Sequence, residues 1–233
     1  MSKKPNSLSV FMSPQETANG FVFLLFNYFI LPVLLQLLNG LLPVPLRSAV
    51  LNVLYYLIQF AVAVCTFHRF LRRSLEAAGQ RFWKFLLISV LGFSGYFVSS
   101  QLLGLGIRTL FPGFSNVNDA SLAAMAQGDL LLIAVGTVLL VPAAEECFFR
   151  GLLFGWLHGK NRFLSYVVST AAFAAIHVMG YLGVYDAVTL LLCFVQYLPA
   201  GLFLAWACEK AGSIFAPILI HTAVNAIAVF TLR

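Results

Sequence analysis

The chain has 233 residues, of which 61% are hydrophobic and 9% charged, with a net charge of +6 and a mean hydropathy of +0.93. Soluble domains carry about 25% charged residues, so this composition excludes a soluble globular protein and selects the bilayer as solvent. The positive charge does not mark a nucleic-acid partner. Arg69, Arg72, Arg73, Arg81 and Lys84 crowd one segment between apolar runs, the pattern that sets membrane orientation.

Residues 1–19 are polar, carry Lys3 and Lys4, and lack the apolar core of a cleavable signal peptide, so they read as an N-terminal tail. Apolar runs follow at about 20–42 (interrupted by Pro32), 48–67 and 83–106, each near the ~20 residues that cross a ~30 Å hydrocarbon core as a helix. The polar stretch 107–128, with Pro112, Gly113, Asn116, Asn118, Asp119 and Gly128, reads as an ordered loop or lid. A fourth helix begins at Leu130, continues past Pro142 toward Trp156, and stops at the polar break His158–Arg162. Helices at about 163–180, 187–208 and 213–231 complete the chain, the last two joined by a Glu209–Lys210–Ala211–Gly212 turn with a glycine stop. The expected fold is all-α: a polytopic transmembrane helical bundle of about seven helices, with the site formed by the C-terminal four. Its parts are a tail (1–19), N-terminal transmembrane helices with the polar loop (20–129), and a C-terminal core (130–233).

Orientation follows from charge. The connections 68–82, 158–162 and 209–212 hold Arg69, Arg72, Arg73, Arg81, Lys160, Arg162 and Lys210, whereas the opposite side holds Arg47, Arg108 and Arg233 with Asp119, Asp129 and Asp186. This predicts a multi-pass protein of the plasma (inner) membrane, with a cytoplasmic N-terminus and the C-terminus outside. Cys65, Cys147, Cys193 and Cys208 have no zinc-type spacing and read as small buried hydrophobes, while His68 and His158 read as interfacial.

Three charges do not belong at bilayer depth: Glu145, Glu146 and Arg150, in Pro142-Ala-Ala-Glu145-Glu146-Cys-Phe-Phe-Arg150. An ionised side chain there costs roughly 2.5–3.5 kcal/mol even on the lenient insertion scale. Glu146 and Arg150, four residues apart, can pair on one helix face. Glu145, about 100° round the helix, is left free. His177 shares a face with Phe173, and His221 with Asn225. Counting back from the basic turns places Glu145 and His177 at similar depth, with His221 and Asn225 in the same zone. A carboxylate beside an imidazole can activate water, and a second imidazole with an amide can stabilise an oxyanion. Alternatively, Glu145, His177 and His221 could hold Zn or another divalent metal with one open position; a metal-free glutamate mechanism is an equal alternative. Cys147 points off the pair's face and is not placed as a nucleophile.

Glu145-Glu146-x-x-x-Arg150-Gly151, then Phe173-x-x-x-His177, then Gly212-Ser213-Ile-Phe-Ala-Pro217-Ile-Leu-Ile-His221-x-x-x-Asn225 resembles the CPBP family, which includes CAAX prenyl endopeptidases, bacteriocin-processing enzymes and abortive-infection-type membrane proteins. The resemblance spans about residues 130–231, with no motif position altered. It implies an intramembrane endopeptidase in which Glu145 and His177 position the hydrolytic water, His221 and Asn225 form the oxyanion site, and Glu146 and Arg150 support them. The expected substrate is a peptide or membrane protein reached from the lipid bilayer, in a cavity open toward the cytoplasmic half. The alternatives are a non-catalytic immunity or scaffold protein of the same fold and a proton-coupled transporter; the latter lacks the internal repeats such folds show.

Overall fold

The computed structural model describes residues 12–231, and the N-terminal residues 1–11 (with Lys3 and Lys4) and Arg233 lie outside the described residues. Seven helical stretches follow one another: α1 Pro14–Gly40, α2 Ser48–Gln80, α3 Phe82–Leu110, α4 Val117–His158, α5 Arg162–Met179, α6 Ala187–Ala211 and α7 Phe215–Thr231. The first six are long and apolar enough to cross a membrane, and α7 is a shorter apolar helix. No β-strand forms among the described residues. The chain is an integral, multi-pass membrane protein.

Four boundaries differ from the sequence expectation, each for a local reason. α1 begins at Pro14, inside the stretch read as a tail, because Ser13 and Glu16 form a reciprocal capping box ahead of it. α2 does not end at residue 67. It kinks at Phe67 (φ −107°, ψ 17°) and continues helical to Gln80. The kink coincides with a backbone N–H given to a distant partner: Phe70 N donates to Glu16 Oε1 at 2.8 Å, and Arg73 pairs with the same carboxylate at 3.2 Å. The segment 107–128 is mostly helix rather than loop. α3 runs to Leu110, and Asn116 caps α4 by accepting from the Asn118 and Asp119 amides. The Ala-, Leu- and Met-rich run after it then propagates the helix until Asp129 (φ −147°, ψ 50°) breaks its axis. Finally, Glu209–Ala211 is the last turn of α6, stopped by Gly212 in the left-handed conformation (φ 69°). Cys147, Cys193 and Cys208 are buried as expected, but Cys65 is exposed on the outer face of α2.

Short connections make successive helices antiparallel, so the bundle has two ends. One end gathers the start of α1 and the α2–α3, α4–α5 and α6–α7 junctions. Ser74 and Ser213 bond there at 3.1 Å, and buried Glu209 takes Arg162 (2.7 Å), His158 (3.1 Å) and the Tyr166 hydroxyl. His158 is therefore a partner of a buried carboxylate, and His68 is exposed. This end holds Arg69, Arg72, Arg73, Arg81, Lys84, Lys160, Arg162 and Lys210. The other end holds Arg47, paired with Asp129 at 2.9 Å, and Arg108.

Between the ends, helices approach closely at glycines. A Cβ on Gly201 of α6 would lie 2.7 Å from Thr170 Cγ2 of α5, and one on Gly95 of α3 would run into the Phe203 ring. The core sits toward the basic end, built from Phe67, Phe70, Phe148, Phe149, Phe154 and Phe173 with Leu152, Leu204 and Ile220.

Candidate active site

Two of the helices contain a π-helical turn ahead of a proline. Phe26–Ile30 in α1 and Val135–Leu140 in α4 are π-helical, and each precedes a proline, Pro32 and Pro142. Proline has no N–H and crowds the preceding turn, and a widened turn relieves the crowding. In the π register a proline's missing donor would have served the carbonyl five residues back. Those carbonyls belong to Asn27 and Thr137, and each is met from another helix: the Tyr55 hydroxyl donates to Asn27 O at 3.1 Å, and Asn225 Nδ2 donates to Thr137 O at 2.9 Å. Both prolines therefore tie neighbouring helices into the walls of one cavity.

Immediately after Pro142 come the two glutamates. Glu146 is fully buried, and its Oε1 accepts from Arg150 Nη1 at 2.9 Å and from His221 Nδ1 at 2.8 Å. Arg150 is itself buried, donates to the Gly201 carbonyl at 3.3 Å, and sits 4.2 Å over the Phe173 ring. The expected pairing of Glu146 with Arg150 is present, and the charge at bilayer depth is neutralised inside the protein. Because a carboxylate only accepts, His221 carries its proton on Nδ1 and turns Nε2 toward Glu145 Oε2, 4.0 Å away. Glu145 Oε2 is buried with no hydrogen-bond partner. It is the carboxylate left free, as its angular offset from Glu146 predicts.

His177 is held on two sides. Its Nδ1 donates to the Phe173 carbonyl at 2.8 Å, which leaves Nε2 as an acceptor. Its ring lies 4.7 Å from Phe173 and stacks on Tyr197 at 4.1 Å and 25°.

Glu145, His177, His221 and Asn225 all line one cavity of about 680 Å³. Glu146 and Arg150 lie beneath its floor, in the core. From that floor the cavity runs past Tyr55, Tyr56 and Tyr96 to Gln36, Ser48, Asn116 and Gly180, residues at the end opposite the basic cluster. The far residues of the cavity thus lie at the end opposite the basic cluster, not toward it as the sequence suggests. The Val117–Gly128 part of α4, read from sequence as a loop, forms a wall of this cavity with Asn118, Asp119, Ser121, Leu122 and Met125.

Sequence reasoning missed Tyr55, Thr137 and Tyr197. A tyrosine in an apolar helix has no periodic signal that separates a site residue from core, and the Thr137 carbonyl is a backbone group. The polar pair Gln196–Tyr197 in mid-α6 was the one available hint. As for a metal, among the described residues no three His, Cys, Asp or Glu side chains converge on a common point. The 4.0 Å between Glu145 Oε2 and His221 Nε2 exceeds the roughly 3.4 Å edge of a tetrahedron with ~2.1 Å metal–ligand bonds. The donor set as placed does not fit a metal ion.

Neither a curated protein nor a solved structure matches the chain. Residues 127–227 do match the family model described as type II CAAX prenyl endopeptidase Rce1-like, a span that begins just before the Asp129 break and takes in every site residue named above except the lining of the N-terminal helices and of residues 116–126. The segment that carries Glu145, His177, His221 and Asn225 is thus similar to the Rce1-like CAAX prenyl endopeptidases over somewhat less than half of the chain.

Proposed function

We propose that the chain is an intramembrane endopeptidase that hydrolyses a peptide bond with a water activated by Glu145. The observation that carries this reading is the unpartnered, buried Glu145 Oε2 at the floor of a cavity shared with His177, His221 and Asn225. A buried carboxylate without a protein donor is costly unless it has work to do. Water held between Glu145 and His177 Nε2 gives its proton to Glu145 as its oxygen attacks the peptide carbonyl carbon. The resulting oxyanion is met by the second N–H of Asn225, and His221, fixed through its Nδ1–H on Glu146, lines the same oxyanion site. The carbon–nitrogen bond then breaks, and the proton held on Glu145 passes to the leaving amine. Glu146 and Arg150 act by holding His221. The substrate class is a peptide or membrane protein segment able to enter from the bilayer.

Orientation belongs to the same proposal. The basic end is cytoplasmic, which puts the N-terminus inside a plasma (inner) membrane and opens the cavity toward the other half of the bilayer.

The test is cleavage of quenched fluorescent peptides, one of them prenylated, by purified protein in detergent, alongside Glu145→Gln, His177→Ala and His221→Ala, each with and without a chelator. Turnover by the wild type that is lost in all three variants and resists the chelator supports the reading. Chelator-sensitive turnover would replace the glutamate mechanism with a metal one. An inert wild type, or variants as active as it, would favour a binding or immunity role.

A further inference from the structure

The first turn of α4 is fastened to α6 by side chains that end on the His177 ring. Asn116 Nδ2 donates to Gln196 Oε1 at 2.8 Å. Asn118 Nδ2 donates to the Tyr197 hydroxyl at 3.0 Å, and that hydroxyl donates to Asp119 Oδ1 at 3.2 Å. Asn118 Oδ1 accepts from the Tyr181 hydroxyl at 3.4 Å. At its far end the same helical segment stops at the Asp129 break, beside Gly128, around which a Cβ would meet no atom within 4 Å. The segment thus has polar ties at one end, a break in the helix axis at the other, and the cavity along its side.

We propose that Tyr197 is a positioning residue for His177, and that Asn118 and Asp119 hold it in that position through its hydroxyl. The stacked tyrosine covers one face of an imidazole whose other constraints are the Phe173 ring and the Phe173 carbonyl. A tyrosine hydroxyl lies on the axis of the ring torsion, so holding it sets the position of the ring, and the phenolic O–H, which prefers the ring plane, ties that plane to its acceptor. When Val117–Gly128 is seated, the Tyr197 ring fixes the direction of His177 Nε2. When that segment moves to admit a substrate, the hydroxyl loses both partners and the imidazole loses its stacking surface. This inference rests on the peptidase reading for the role of His177, but its geometry does not.

Two measurements separate the proposal from that reading. The first needs no substrate: the rate at which diethylpyrocarbonate modifies His177 in the intact protein, followed by mass spectrometry. Asn118→Ala, Asp119→Ala and Tyr197→Phe should each speed modification of His177 by about three- to tenfold, with modification of exposed His68 unchanged as the internal reference. Because all three act through one hydroxyl, Tyr197→Phe combined with Asn118→Ala should be no faster than either alone. The second is turnover. Tyr197→Phe should lower kcat by about tenfold and leave KM within about twofold, and Tyr197→Trp, which restores a stacking ring, should recover protection of His177 better than Tyr197→Leu. Unchanged modification rates in all three single variants would overturn the proposal, whether or not a peptide is cleaved. So would additive effects in the double variant, since these would show Tyr197 and Asn118 acting independently.

Discussion

Glu145 and Glu146 are neighbours of identical chemistry, and the structure gives them opposite consequences when each is changed to glutamine. Glu146→Gln removes the charge that faces Arg150 at 2.9 Å with both side chains fully buried, and it halves the acceptors available to Arg150 and His221. Breaking a buried pair by removing one partner costs about 3–5 kcal/mol, because the other charge stays uncompensated. At roughly 2–4 °C per kcal/mol for a chain of this size, the melting temperature should fall by about 10 °C. Glu145→Gln removes a carboxylate whose Oε2 has no partner, so its melting temperature should hold or rise. Turnover should nonetheless fall by about 10²–10⁴-fold, the usual contribution of a general base. Thermal unfolding in detergent by intrinsic fluorescence, read beside peptide cleavage, distinguishes the two. Equal destabilisation by both changes, or substantial turnover by the Glu145→Gln protein, would refute the division of labour between a working and a supporting glutamate.

Three further outcomes follow from the packing and the ends of the bundle. Asn225→Leu should cost about 1–3 kcal/mol by leaving the Thr137 carbonyl without a donor; in a Pro142→Ala background, which restores a backbone N–H, the same change should cost less, as a double-mutant cycle of melting temperatures would show. Gly201→Ala should destabilise by about 1–3 kcal/mol, since its Cβ would lie 2.9 Å from the Thr170 backbone, whereas Gly159→Ala, with no atom within 4 Å, serves as the neutral control. In a Cys65→Ser background, a membrane-impermeant thiol reagent added outside intact cells should label Gly113→Cys and leave Gly159→Cys unlabelled. The reverse pattern would place the basic end outside.

The charged part of the site was legible because the bilayer makes charge conspicuous. Glu145, Glu146 and Arg150 stand out in an apolar run, and counting residues from the basic turns was enough to bring His177, His221 and Asn225 to their level. The pairing of Glu146 with Arg150 survives even though residues 147–154 are π-helical, because both side chains are long enough to meet across a widened turn. What was not legible depends on backbone and aromatic geometry. Asn116, Asn118 and Gly128 suggested a loop, yet Asn116 is a cap and the alanines behind it make a helix. Residues 68–80 read as a polar connection, but their cations leave the cylinder of α2 sideways while Phe70, Ser74 and Ala78 stay buried along it. The role of Tyr197 emerges only when α4 and α6 are seen side by side.

The two proline breaks explain why the site sits where it does. A regular helix satisfies its own backbone in lipid and needs nothing from its neighbours. α1 and α4 each give up one such bond, at Asn27 and at Thr137, and in lipid that vacancy has to be filled by protein. Tyr55 fills the first from α2 and Asn225 fills the second from α7. Both donors line the cavity, and Asn225 also lies within the residues that match the family model. One amide therefore closes the backbone of the glutamate helix and faces the site with its second N–H. The same contact that lets α4 bend just before Glu145 holds α7, and with it His221, in register with that bend. In this arrangement the break is what couples the two helices that supply the carboxylate and the imidazole.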